Sequence, residues 1–222
     1  MSEFRRRLMM QKAGKDYELV DHIKTNGLAY IDSGYFVNPN TEMEMTITLY
    51  KNKNTEVNTQ GTTIGNNLFY ANEGDYNYSI NHGGIFYESS TYYAWTNKTY
   101  ASGAPIVSFL ANMGFIGAKM KLFYHSIYSN YWINAGDAEV VAQSPTHTFT
   151  TYSLKILGGY NASANRILPY NRFDAHFYGL KITEKGEVIK HFLPAKKGDI
   201  YGMAEIIEGK FYASPNGESF SY

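Results

Sequence analysis

The chain has 222 residues, with 20 Lys+Arg against 20 Asp+Glu, 44% hydrophobic residues and 18% charged ones. That composition excludes wholesale disorder, and the balanced charge leaves no overall field that would draw in nucleic acid. The lack of cysteine excludes disulfides and thiolate metal sites, and no run approaches the roughly 18 apolar residues of a membrane span.

Residues 1–14 read as the one helix of the chain, or as a short extension. Ser2 can cap it, Glu3 suits its positive end, Phe4 and Leu8 lie four apart on one face, and Gly14 can end it. Arg5, Arg6, Arg7 and Lys12 give it a basic side. A helix this short is marginal on its own in water, so two readings stand: a solvated tail, or a segment that orders on a partner. Its apolar part, Leu8, Met9 and Met10, is too short for the core of a signal peptide, so synthesis in a cytoplasm without export is expected.

From Lys15 onward the pattern is that of strands, and residues 15–222 read as one β domain. Met43, Met45, Ile47 and Leu49 alternate with Glu44, Thr46, Thr48 and Tyr50, which predicts one buried and one wet face. Ala118, Met120 and Leu122 alternate with Lys119 and Lys121. Tyr178, Leu180 and Ile182 alternate with Gly179, Lys181 and Thr183. Glu184-Lys185-Gly186 predicts a hairpin into residues 188–193, and Glu208-Gly209 a second one between Ile206-Ile207 and Phe211-Tyr212. The six prolines, Pro194 among them, mostly fall between apolar runs and are expected to punctuate strands. No helical pattern recurs between strands, which argues against a parallel sheet and for an antiparallel sandwich or barrel.

Two stretches carry a family resemblance. Residues 17–41 hold Asp21-His22-Ile23 and Gly27-Leu28-Ala29-Tyr30-Ile31-Asp32-Ser33-Gly34, with Pro39 and Thr41 beyond. Residues 173–220 hold Tyr178-Gly179-Leu180-Lys181-Ile182, Gly186, Val188, Phe192-Leu193-Pro194-Ala195, Gly202, Lys210-Phe211-Tyr212, Asn216-Gly217 and Phe220. Together they resemble the LamG-like, concanavalin A-like domains of phage and gut-bacterial proteins. The resemblance implies an all-β, antiparallel jelly-roll β-sandwich, covers roughly half the chain and leaves out about residues 51–146. Gly202 is followed by Met203-Ala204-Glu205 where that family has a Leu-Tyr-Asp type of sequence. Gly34, Gly186 and Gly209 suit turns of positive φ, and Phe192, Phe211 and Phe220 are expected between the sheets. The basic opening Ser2-Glu3-Phe4-Arg5-Arg6-Arg7 is similar to the start of tailed-phage structural proteins that carry such domains.

Catalytic signatures are sparse. A retaining glycosidase needs two carboxylates about 5–5.5 Å apart. The nearest alternation, Glu42 and Glu44, reads as the solvated face of a strand. There is no Gly-x-Ser-x-Gly elbow, no phosphate-binding glycine loop and no paired-histidine zinc motif. Calcium would have to draw on carboxylates such as Asp32, Asp174 and Asp199, which residue type alone suggests, so no cofactor or metal is assigned.

Aromatics make up 16% of the chain. Two clusters, Tyr92-Tyr93-Ala94-Trp95 and Asn130-Tyr131-Trp132, combine rings with amide side chains and are candidate sugar platforms, while sandwich-core filler is the plainer reading. The expectation is therefore a non-catalytic virion structural protein: a capsid decoration, head-fibre or tail-associated component. It would be anchored through Phe4, Arg5, Arg6, Arg7 and Leu8 to other virion proteins and act as a homo-oligomer. A carbohydrate-binding module for host or gut glycans, using Tyr92, Tyr93, Trp95, Asn130, Tyr131 and Trp132, is the alternative. A glycoside hydrolase ranks third.

Overall fold

The structure is a computed structural model that describes residues 16–25, 28–50, 118–125, 153–157 and 174–222, and elsewhere the backbone of short strands. The described residues form antiparallel sheets and contain no helix. Among them no helix is long and apolar enough to cross a membrane. The candidate anchor Phe4, Arg5, Arg6, Arg7 and Leu8 lies outside the described residues.

The framework is a ten-stranded antiparallel sheet. From one edge its strands run Ala138–Gln143, Asn130–Ala135, Lys119–His125, Thr41–Tyr50, Asp174–Glu184, Glu187–Lys197, Ile200–Glu205 and Lys210–Tyr212. Asp174–Glu184 and Glu187–Lys197 pair from Leu180 opposite Phe192 down to their turn, and then part. Two short strands fill the fork: Glu18–Leu19 pairs with Glu187–Lys197, and Ile23–Thr25 with Asp174–Glu184. The C-terminal segment joins them, with Lys24 and Ser221 exchanging main-chain hydrogen bonds at 2.7 and 3.1 Å.

Alternation in Thr41–Tyr50 is as the sequence predicts through Ile47, whereas Thr48, expected on the wet face, is buried and bonds Tyr178. Met43, Met45 and Ile47 are buried, and Glu42, Glu44 and Thr46 stand on the other face. In Asp174–Glu184 the phase changes midway, because the register with Thr41–Tyr50 shifts between Phe177 and Gly179. Ala175 and Phe177 are buried before the shift, and Leu180 and Ile182 after it. One extra residue flips the faces, so Tyr178 does not share the buried side of Leu180 and Ile182 as simple alternation suggests. It stands on the half-exposed side with His176.

The first hairpin forms as expected, with Lys185 at φ 49° and Gly186 at φ 83°. Its second strand continues through Pro194, which pairs with Met203 and does not punctuate the strand. The reason is local: the Pro194 carbonyl accepts from Val20 N–H at 3.0 Å, so the missing Pro194 donor faces the place where the two-residue Glu18–Leu19 strand has already ended. The second hairpin is displaced. Ile206 and Ile207 lie in the turn, not in a strand, and the strand is Ile200–Glu205. Buried Glu205 sets this turn by accepting N–H bonds from Ile207 at 3.1 Å, Glu208 at 2.7 Å and His191 at 2.8 Å.

One apolar cluster unites Met45, Ile47, Phe177 and Phe192 of the large sheet with Ile31, Leu154 and Ile156. Ile31 and Ile156 belong to a small sheet in which Lys155–Ile156 pairs with both Ile31–Asp32 and Phe69–Tyr70. Phe192 and Phe220 lie in this core as expected. Phe211 does not: it packs with Tyr17, Leu19, Leu193, Ala195 and Ala204 in a second cluster, because residues 192–195 and 203–204 bury both of their faces. Gly202 allows this packing, since a Cβ there would meet the Tyr212 carbonyl oxygen at 2.2 Å.

Candidate functional site

Several side-chain groupings stand out, and those around Asp32, Glu184 and Glu44 serve the fold. In the first, Asp32 Oδ2 accepts from Lys155 Nζ at 2.6 Å, Asp32 Oδ1 accepts from Ser153 Oγ at 2.6 Å and from Gly34 N–H at 3.1 Å, and Lys155 also donates to Ser153. Burial by itself would raise the Asp32 carboxyl, but the hydrogen bonds from Lys155 and Ser153 outweigh it and hold it below the usual carboxylate range. Both oxygens are thus engaged, which ties the small sheet together and makes Asp32 a poor calcium ligand. Asp199 is an exposed turn residue, and no cluster of three metal-ligating side chains occurs among the described residues.

The second grouping closes a corner: Glu184 Oε1 accepts from Tyr35 OH at 2.8 Å and from Asn38 Nδ2 at 2.7 Å, and Tyr35 OH also bonds Thr41 Oγ1. Glu44 stands between Lys181 at 3.1 Å and Lys121 at 3.3 Å. Desolvation raises its carboxyl, and the two lysine hydrogen bonds more than offset this and leave it low. Glu44 is therefore a cross-strand ion-pair centre.

The last grouping has no comparable structural explanation. Tyr50, His176, His22 and Tyr222 form a row of rings with centroid spacings of 4.7, 4.6 and 4.9 Å. These spacings match the distance between neighbouring strands, because Tyr50 and His176 lie on paired strands, His22 immediately precedes Ile23–Thr25 and Tyr222 belongs to the C-terminal segment. His22 and His176 stack at 21°, and His22 and Tyr222 at 28°. Tyr50 OH lies 3.3 Å from His176 Nδ1. Tyr201 extends the row beyond Tyr222 at 6.2 Å. Tyr178, placed here by the bulge, lies 5.8 Å from His22 and bonds Thr48, while the Lys119 ammonium sits 3.7 Å over its ring. Lys24 donates to the Tyr222 main-chain oxygen at 2.9 Å.

This electrostatic setting disfavours protonated imidazoles. For His22, burial lowers the pKa first, then the Lys24 ammonium, with Asp21 opposing and Lys119 adding to the shift. For His176 the causes are burial, then His22, then Lys24. The rings of Tyr50, Tyr178 and Tyr222 also face the pair. The unfolded chain takes up these protons near pH 6.5 and the folded chain only at lower pH, so the unfolded state binds more protons in that window. Stability should therefore fall as pH drops below about 6.5. Thermal unfolding from neutral to acid pH checks this. A His22→Gln/His176→Gln variant is expected to show a flatter dependence, with a residue left by His191, which burial also depresses. An unchanged slope in the double variant contradicts the assignment.

The sequence-derived aromatic candidates divide between two sheets. Tyr92, Tyr93 and Trp95 belong to the Thr91–Trp95 strand of a separate three-stranded sheet, between Phe109–Ala111 and Gly84–Glu88. Asn130, Tyr131 and Trp132 belong to the large sheet, where Trp132 is in register with Phe123 and Val141. The side chains of all six lie outside the described residues. Sequence reasoning missed the row of rings, whose members are scattered along the chain and meet only through strand register. A scan against protein-family models finds no match for this chain, and no curated protein matches it.

Proposed function

We propose that this chain is a non-catalytic attachment and assembly protein of a tailed-phage virion, a capsid decoration, head-fibre or tail-associated component. Its body would be a concanavalin A-like jelly-roll sandwich and its basic opening, Phe4, Arg5, Arg6, Arg7 and Leu8, the anchor. The observation that carries the attachment reading is the row Tyr50, His176, His22 and Tyr222, an aromatic and basic surface built across the large sheet. The sandwich reading is supported by the single core that Ile31 and Ile156 of the small sheet share with the large one. The virion reading is supported by the resemblance of residues 17–41 and 173–220 and of the opening segment. A homo-oligomer fits this role, because repeated weak contacts add up to firm attachment.

Mass spectrometry of purified particles, with the full chain and a variant lacking residues 1–14, tests the proposal. The full chain is expected in the particle. The truncated chain is expected to fold with an unchanged circular dichroism spectrum and to be missing from it. Normal incorporation of the truncated chain, or the absence of both chains from particles, would overturn the anchor and the virion role respectively.

A further inference from the structure

We infer that the row of rings is a binding site for an acidic polysaccharide, a glycan whose sugar units carry carboxylates; this rests on the reading of the row as an attachment surface. Stacked rings cover one another's faces, so His176, His22 and Tyr222 offer a ligand their edges. An exposed ring face would suit the apolar side of a neutral sugar. A ring edge instead offers imidazole N–H, phenol O–H and the electropositive C–H rim, which suit oxygen atoms and negative charge.

The surrounding charge has the same preference. Lys119 lies over Tyr178, which flanks His22, Lys24 bonds the Tyr222 main chain, and Lys196 lies 5.4 Å from the Tyr201 ring at the far end of the row. Among the described residues, Asp21 acts on His22 against the Lys24 and Lys119 ammonium groups. Lys24 uses one of its three donors on Tyr222 and retains two. The row advances at 4.6–4.9 Å per ring, close to the advance of one pyranose unit along an extended glycan, so successive units can meet successive edges. Tyr222 is 52% exposed, so the row is open to a chain-like ligand there. A bound carboxylate favours imidazoles that have taken a proton from solvent, which adds a pH signature: binding strengthens as pH falls, because each His⁺ donates from both nitrogens.

The test uses the full-length protein and immobilised polygalacturonate, with fully methyl-esterified polygalacturonate as the uncharged control. Wild type is expected to bind the acidic form, to lose binding in high salt, and to bind more tightly at mildly acidic than at neutral pH. His22→Gln/His176→Gln should weaken binding about tenfold, the change equivalent to one lost hydrogen bond to a charged group, and should remove the pH dependence. Lys119→Gln, a surface change, should weaken it without affecting the fold. Equal binding of the two polymers, or full binding by these variants, overturns the inference. Adsorption of particles carrying the double variant separates the two levels. If the variant particles lose attachment to cells while wild type ignores polygalacturonate, the acidic-glycan inference fails and the attachment reading stands. If attachment is also unaffected, both fail.

Discussion

Replacing Glu205 with alanine is expected to cost about 3–5 kcal/mol, since each hydrogen bond to a charged group contributes about 1.5–3 kcal/mol and the losses are not fully additive. The carboxylate is fully buried and accepts N–H bonds from His191, Ile207 and Glu208, so its loss strands two donors in the turn that joins Ile200–Glu205 to Lys210–Tyr212 and one in the Glu187–Lys197 strand. Glu205→Gln keeps one acceptor oxygen and should cost less. Urea unfolding of the two variants checks the order. An alanine variant within about 1 kcal/mol of wild type would mean that water satisfies these donors and that the carboxylate does not organise the turn. The same observation settles what the acidic position after Gly202 does here: it holds a turn.

Ile156→Ala is expected to cost about 2–5 kcal/mol, through lost transfer energy and the cavity left behind. Ile156 is fully buried on the small sheet, within the cluster that holds Phe177 and Phe192 of the large one. If the two sheets share a core, unfolding should remain a single transition that moves as a whole. A second, earlier transition in the variant would show that the small sheet melts on its own.

Much of the sheet was legible because its signals are local. The period of two over residues 42–47, the exposed Lys119 and Lys121 of one strand and the Lys185-Gly186 turn each depend on neighbours in sequence, and each appears in the structure. The misreadings arise where a distant contact decides. Tyr178 changes face because of one extra residue opposite Thr41–Tyr50. Pro194 stays in its strand because its missing donor meets no partner. Ile206 and Ile207 give up strand pairing to a turn that Glu205 caps.

The row of rings is the clearest case of what sequence conceals. Residues 22, 50, 176 and 222 share no motif, and only the pairing of Lys24 with His176, of His176 with Thr48 and of Lys24 with Ser221 brings them onto adjacent strands. The one available hint was His176 and Tyr178 on either side of buried Phe177, but alternation counted from Leu180 and Ile182 puts Tyr178 on the wrong face.

Amide hydrogen exchange on the protein in purified virions, compared with the free protein, tests the central claim most directly. The predicted result is protection gained in residues 1–14 on assembly, with residues 18–25 and 174–178 exchanging as they do in the free chain, their rings still facing outward for attachment. Exchange unchanged in residues 1–14, with protection gained in the strands that carry His22 and His176, would contradict it by making the row of rings the assembly contact.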